Sequence, residues 1–555
     1  MPVTRSLCGQ CGVGCGIRAV TGEAREVTIA GDPVHPANGG LLCERSHALV
    51  DMLPLEGRLL RPTIGGRPAG WDRAIGQAAR RLGDIIARHG PASVALHVPG
   101  GLLTEDYYVA NKLMKGFVGS ANIDAPFAGA GGMAAAQRAA FGEDVMPAAY
   151  EDLGQADLLL LVGGSTARRH PVLHDRIEAI RAERGTPMIL IAPGDDGQDV
   201  EADLRLNVTP GSEAVLLAGL LLHCHDSGAV DAGFPANRLT VPDGFWTALR
   251  KGHDLWSVAR ACGLGPGEVR GFYEAVAGVP RMVTLFSPAG AGAAARRLSA
   301  AVLNLHLATG RIGRPGAAPF AVTGAANGMG GREVGCWAGE LAAHRDFSVD
   351  SLAEVGRFWG ATAIADRPGL SDAALAEAVT AGQVRALLVL GGLPSASHSI
   401  RALLEQVPLA ILTTPWTEAE ASGPRTIALP SPLWVEKDGT LTGADRLISR
   451  QRRLFPLPGE AKPDWWIMTR LARAMGWRDA FHYERPADIY REHVRLTAYC
   501  NQGARLLNLK RHAPISNPAY EELTPWRWGE VPFDEGRFST PDGKARLVPS
   551  WDQES

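Results

Sequence analysis

Long apolar runs are missing from this sequence. Nowhere do about 18 apolar residues follow one another, the length a helix needs to cross a bilayer. The N-terminus, MPVTRSLCGQC, carries neither an apolar signal segment nor a twin-arginine motif, so the expected compartment is the cytoplasm. An excess of one charge is missing too. The formal net charge is −3, which gives no reason to expect nucleic acid or an anionic membrane as a partner. Cysteine is sparse beyond the first 43 residues: Cys224, Cys262, Cys336 and Cys500 are widely scattered. A disulfide framework is therefore not expected, and a reducing compartment fits. No internal repeat or low-complexity linker breaks the chain. Its 555 residues, 46% hydrophobic and 21% charged, suit a globular protein of several domains.

What is present is concentrated at the start. Cys8, Cys11 and Cys15 stand in Cys-x2-Cys-x3-Cys spacing, and Cys43 follows after 27 further residues. Three thiolates on one glycine-rich loop and a fourth from a later turn can surround a cuboidal [4Fe–4S] cluster, which takes four cysteine ligands. The same residues also allow a zinc site with four thiolates or two disulfides. After the third cysteine, alternating apolar residues around Gly22-Glu23 predict a hairpin, and Gly31-Asp32-Pro33 a turn.

Further along, the periodicities alternate between helix and strand. Ile75, Ala79, Leu82 and Ile86 recur at helical spacing over 71–90, with Gly90 as the stop. SVALHV (93–98) reads as a strand, and LLTEDYYVANKLMKGFVGSANID (102–124) as an amphipathic helix with a glycine stop. DLLLLVGGS (157–165) is a short apolar strand entering a glycine turn, as at the carboxyl edge of a parallel sheet where ligands bind. His170 opens the helix that follows and reads as a satisfied or exposed helix-start histidine. MILIA (188–192) and VRALLVLGG (384–392) supply further strands.

The cysteine motif, the hairpin, GDPVHP and GLLC together resemble the molybdopterin oxidoreductase family, the group that includes formate dehydrogenases and nitrate reductases. The stretches 102–124, LNLHLATGRIGRPGAAP (303–319), TGAANGMGGREVG (323–335), WVEKDGTLTGADRLISRQR (434–452) and GRFSTPDGKARLVP are most similar to assimilatory nitrate reductase catalytic subunits. The resemblance covers nearly the whole chain. It implies a [4Fe–4S] cluster on Cys8, Cys11, Cys15 and Cys43, with Arg45 where the family has a lysine between cluster and pterin. It also marks Arg332 as the weak catalytic candidate, since the family approaches its active site there. The glycine density of that stretch equally suits a plain buried turn.

The sequence departs from the family at the molybdenum site. The cysteine that holds molybdenum in this branch falls at Gly129 or Ala130 here, and no cysteine lies between Cys43 and Cys224. A soft metal needs a thiolate or comparable donor, which neither residue has. Where the family reads Asp-Pro-Arg-Arg-Thr, this chain reads Ala192-Pro193-Gly194-Asp195-Asp196, whose carboxylates would repel a pyrophosphate. Gly164-Ser165-Thr166, Gly392-Leu393-Pro394 and Gly443 depart at three other pterin contacts. Family members continue past Thr-Pro-Asp-Gly-Lys-Ala-Arg into a pterin-binding β-barrel, but few residues follow Arg546 here. That barrel is expected to be lost, supplied by another chain, or to lie outside this sequence.

The expected fold is α/β: an N-terminal iron–sulfur domain (1–55), an α/β domain in two parts (56–145 and 321–460), a Rossmann-like α/β domain (146–320) and a C-terminal connecting region (461–555). Three functions stay open. The first is an electron-transfer subunit of the family that has lost the molybdenum site, a pseudoenzyme with respect to nitrate. The second is an active assimilatory nitrate reductase using molybdopterin guanine dinucleotide, a cofactor the departures put in question. The third is a scaffold with a structural cluster. With no flavin, nicotinamide or [2Fe–2S] domain in the sequence, a ferredoxin or flavoprotein reductase is the expected redox partner.

Overall fold

The computed structural model describes residues 3–22, 25–51, 53–127, 131–230, 237–287, 292–393, 398–417 and 423–551. The N-terminal strands Val3–Leu7, Gly16–Thr21 and Val27–Gly31 form an antiparallel meander, so the expected hairpin is there. The loop between the first two strands carries Cys8, Cys11 and Cys15.

Two parallel sheets make the body, as the apolar strands between glycine turns predict. One has five strands in the spatial order Leu204–Asn207, Met188–Ala192, Leu158–Val162, Met282–Phe286, Ala318–Ala321. In chain order this is 3-2-1-4-5, the doubly wound arrangement, with its crevice beyond the carboxyl ends of Leu158–Val162 and Met282–Phe286. The central strands are buried on both faces, which explains their unbroken apolar runs.

The second sheet has seven strands. Its parallel part runs Ile123–Asp124, Val94–His97, Ala386–Val389, Leu409–Thr414, Thr426–Pro430, the order 2-1-3-4-5. Its strands come from both sides of the five-stranded sheet in sequence. The hairpin Thr63–Ile64 and Arg67–Pro68 continues it antiparallel at one edge. The helix Trp71–His89 lays Ala74, Ile75, Ala78, Ala79 and Leu82 against this sheet, its apolar stripe at helical spacing, and ends at Gly90 with φ 78°.

One expectation is corrected. Residues 102–124 are no amphipathic helix: Thr104–Asn111 is α-helical, Lys112–Val118 continues as a π-helix, and every residue of both is buried. The segment lies between the helices Gly328–Val334, Asp464–Ala474 and Pro486–Ala498, so it has no solvent face. Its lysines are buried with partners. Lys115 Nζ donates to the carbonyls of Gly335, Trp337 and Glu340, which fixes the 335–341 loop, and burial pulls its ammonium down to about 7.

The WVEKDG stretch joins the parts. Trp434 Nε1 donates to the Leu7 carbonyl (2.9 Å), beside the cysteine loop. Glu436 accepts from Arg58 (2.7 Å) and from Arg25 of the N-terminal meander. Lys437 pairs with Asp464 (2.8 Å). Thr440 bonds Glu105 and Thr442 bonds Glu333 of the Gly328–Val334 helix (2.7 Å). The Glu436 and Lys437 contacts are buried charge pairs and the rest buried hydrogen bonds, costly to break by removing one partner and therefore specific about which surfaces meet.

Candidate functional site

The cysteine loop is built by close approach. Cys8 N–H donates to the Cys15 carbonyl (2.8 Å), closing the loop, and Gly12 N–H donates to the Thr323 carbonyl (3.2 Å). A Cβ on Gly12 would lie 2.6 Å from that carbonyl oxygen, so only glycine fits. Asn38 pins the later turn onto the loop: its Oδ1 accepts from Gly16 N–H (2.9 Å), and its amide donates to the carbonyls of Gly16 and Leu41. That places Cys43 beside the other three. Cys8, Cys11 and Cys15 are buried and Cys43 is half-buried.

The chemistry of the four thiols fits a cluster. Burial pushes Cys8 up to about 12 and Cys15 well above its ordinary value, and the neighbouring cysteines push in the same direction. Four neighbouring thiolates, three of them buried, repel one another and need a compensating positive centre. The amides of Gln10 and Val13 donate to the sulfurs of Cys8 and Cys11, a bonding that favours the ligating thiolates. Among the described residues, no three Cys, His, Asp or Glu side chains are placed to hold one metal ion.

Arg45 is exposed. Its Nη1 donates to the Arg169 carbonyl (2.9 Å) and its Nη2 to the Arg168 carbonyl, at the end of the short helix Thr166–Arg169. It therefore ties the cysteine domain to the five-stranded unit, and its charge still reaches Cys11, whose pKa it lowers against burial. His170 corrects the sequence reading. It caps the helix Pro171–Arg184 fully buried, and neither ring nitrogen has a partner among the described residues. Burial, then the charges of Arg45 and Arg169, pull it down to about 4, so it stays neutral.

At the doubly wound crevice the structure is explicit about Asp196. Its Oδ2 accepts from Gly164 N–H (2.8 Å), and its Oδ1 from Arg168 Nη2 (2.9 Å). Gly164 N–H is the backbone donor at the carboxyl end of Leu158–Val162, where a nucleotide phosphate would bind. The Asp196–Gly197 backbone is folded against this turn, and a Cβ on Gly164 would lie 2.3 Å from Gly197 N. Asp195 takes no part there; it accepts from Gln198 within its own loop (2.6 Å). At this turn a carboxylate already holds the donor that a dinucleotide phosphate would take.

Arg332 sits in the buried helix Gly328–Val334 and is engaged through Nε and Nη2. Its Nε donates to Asp144 Oδ2 (2.6 Å) and its Nη2 to Asp144 Oδ1 and Gln137 Oε1. Despite burial, that guanidinium holds the Asp144 carboxyl below its ordinary value. The space between Gly12 and Arg332, lined also by Thr323, Met329 and Thr442, leaves no room for a water-sized molecule. Sites that enclose a small-molecule cofactor occupy about 300–1,000 Å³. Gly443 packs against Gly14 of the cysteine loop, and Ala444 N–H donates to the Gly12 carbonyl (2.9 Å). Gly129, Ala130 and Pro394 lie outside the described residues.

The sequence reading did not find Glu143, Glu340 or His344. Glu143 accepts from His344 Nδ1 (2.7 Å), Leu506 N–H (2.7 Å), Leu507 N–H (2.9 Å) and Ser539 Oγ (2.6 Å). Arg138 pairs with Glu340 (3.0 Å). The signal was two adjacent carboxylates, Glu143-Asp144, after a helical run, but their partners lie some 190 to 400 residues away.

Comparison with known proteins adds the following. A family model described as "Molybdopterin oxidoreductase" matches residues 58–474, and one described as "Molybdopterin oxidoreductase Fe4S4 domain" matches 1–53. The chain is 40% identical to a nitrate reductase of Klebsiella oxytoca, over 99% of this chain and 64% of that protein. It is 35% identical to one of Shewanella frigidimarina, over 99% of this chain and 61% of that protein. It thus spans about three-fifths of the length of these relatives. Its fold matches acetylene hydratase from Pelobacter acetylenicus with a TM-score of 0.74, at 18% identity, over 98% of this chain and 77% of that one.

Proposed function

The chain belongs to the molybdopterin oxidoreductase family, and on that premise we propose that it is an iron–sulfur electron-transfer member that does no molybdenum chemistry. Cys8, Cys11, Cys15 and Cys43 hold one [4Fe–4S] cluster. When bound, such a cluster supplies one-electron transfer. The amides of Gln10 and Val13 orient and stabilise its thiolates, and the packed glycine loop excludes water from three of the four. Cys43 is half-buried and Leu41, two residues before it, is 45% exposed, so the fourth ligand stands at a surface a partner can reach. That partner is a ferredoxin or flavoprotein reductase, and a further chain completes the pterin-binding side if one exists. The compartment is the cytoplasm; among the described residues, no helix is long and apolar enough to cross a membrane.

The observation that carries this reading is the Asp196 carboxylate on Gly164 N–H (2.8 Å). It supports the departure read from the sequence at Asp195-Asp196; the one at Gly129/Ala130 lies outside the described residues. A second reading, active nitrate reduction, draws on the buried Arg332–Asp144 pair and on the relatives named nitrate reductase. A third, a scaffold with a structural cluster, is separated from the first by redox titration.

Metal analysis decides between the first two. Protein purified anaerobically from a host that makes the pterin cofactor should contain about four irons and four acid-labile sulfides, and no molybdenum or guanine dinucleotide. Near-stoichiometric molybdenum and cofactor would return nitrate reduction to first place. Zinc without sulfide would sink the cluster itself.

Arg45→Ala should lower the midpoint potential slightly and leave the iron content unchanged. A cation near an anionic cluster favours its reduced state, and solvent around the exposed guanidinium keeps the effect small. The check is a titration followed by electron paramagnetic resonance on both proteins. A cluster that stays oxidised under dithionite in both favours the scaffold reading.

A further inference from the structure

A cleft of about 820 Å³ opens where segments 344–346, 503–505 and 535–544 meet, away from the cysteine loop and the Gly164 turn. Six Lys or Arg side chains and three Asp or Glu line it, so its field favours anions. Two of the arginines are unusual.

Arg345 has no exposed side-chain surface; it donates from Nε to Glu354 (3.0 Å) and from Nη2 to the Tyr499 carbonyl. Its Nη1 has no partner among the described residues. Arg505 leaves both Nε and Nη2 buried and without partners, the edge of the guanidinium that matches two oxygens at once. The two cations are neighbours. Burial, then the charge of Arg345, lowers the Arg505 pKa.

Buried N–H groups of charged side chains are expensive to leave unpaired. The nearby carboxylates are committed elsewhere. Glu354 is on Arg345, Glu143 on His344 and two amides, and Asp346 on Ser348 and Ser351. Glu535 and Asp542 stand exposed on the rim. The backbone is held out of its easy conformations in the same place. Among the described residues, five of the eight non-glycine residues with positive φ, namely Ala343, His344, Cys500, Gln502 and Phe533, lie in or beside the segments that build the cleft.

We propose that this cleft binds a small oxyanion, gripped by Nε and Nη2 of Arg505 and by Nη1 of Arg345. Nitrate, nitrite, sulfate and phosphate share the required chemistry: at least two oxygens set to receive a guanidinium edge. The site goes beyond the electron-transfer reading and stands whether or not molybdenum is bound.

Calorimetric titration of the full, cluster-loaded chain with sodium nitrate, sulfate and phosphate, against sodium chloride at matched ionic strength, tests it and separates the oxyanions. At least one should bind saturably at one site per chain, where chloride does not. Arg505→Gln should weaken that binding about 10- to 100-fold, the worth of one or two charge-assisted hydrogen bonds. Arg537→Gln, on the exposed rim, should change it less than about twofold. If Arg505→Gln does not fold, Arg505→Lys keeps the charge, loses the bidentate edge and should still bind more weakly. No oxyanion binding above chloride in the wild type, or binding unaltered by the Arg505 substitutions, would overturn the proposal.

Discussion

Cys15→Ser is expected to strip the cluster and loosen the first 53 residues as a unit. Cys15 closes its loop through the Cys8 amide, and its backbone runs directly into the central strand of the meander, Gly16–Thr21. A hydroxyl there is a poor ligand for iron, and the buried Cys8 and Cys11, whose pKa burial raises, would take up protons and hold no cluster. Structural metals contribute on the order of 10 kcal/mol to the small domains they hold. Losing that contribution should fall on the meander and on its packing beside the five-stranded unit, since Val13 and Ile17 share a core with Leu158–Val162. Iron and sulfide should drop to background. Limited proteolysis should cut within 1–53, while fragments covering both parallel sheets persist. A variant that keeps its full iron complement would remove Cys15 from the ligand set.

The sequence disclosed what is local. MILIA is the strand Met188–Ala192 itself, and the helix read over 71–90 is Trp71–His89, because short apolar runs and a 3.6-residue stripe are decided by near neighbours. The 102–124 segment differs for the opposite reason. It reads as an amphipathic helix, but Lys112, Lys115, Glu105 and Asp106 are paired inside the protein by groups far along the chain. His170 departs in the same way: nothing local tells that its ring is buried with neither nitrogen partnered among the described residues.

The Asp195-Asp196 pair was legible as a chemical misfit, yet the sequence could not say which acid turns inward. Asp196 does, because the loop folds Gly197 against Gly164, a contact across 33 residues made possible by two glycines. The Arg332 candidate likewise gained its meaning from Asp144 and Gln137, which the sequence does not point to.

Glu143→Ala should be the most destabilising single change outside the cluster, by about 3–5 kcal/mol, because it leaves a buried His344, two amides and the Ser539 hydroxyl without their acceptor. The loss should depend on pH from both sides. Burial alone would raise the Glu143 carboxyl, but the bond and charge of His344, with Ser539 and Leu507, hold it below its ordinary 4.5. Its contribution is therefore complete above 4.5 and fades as pH falls through the lower folded value. Burial alone would lower His344, but Glu143, then Glu340 and Asp144, hold it above its ordinary 6.5. Its contribution is complete below 6.5 and fades as pH rises through the higher folded value. The gap between wild type and Glu143→Ala should thus be widest between 4.5 and 6.5 and narrow on either side. Denaturant unfolding of the cluster-loaded proteins across pH 4 to 9 measures it. A gap that stays constant over this range, or falls below about 1 kcal/mol throughout, would show that the pair does not hold these walls together. Glu143→Gln keeps one oxygen for the amides and gives up the charge. It should recover part of the stability while flattening the pH dependence, which separates the hydrogen bonds from the ion pair.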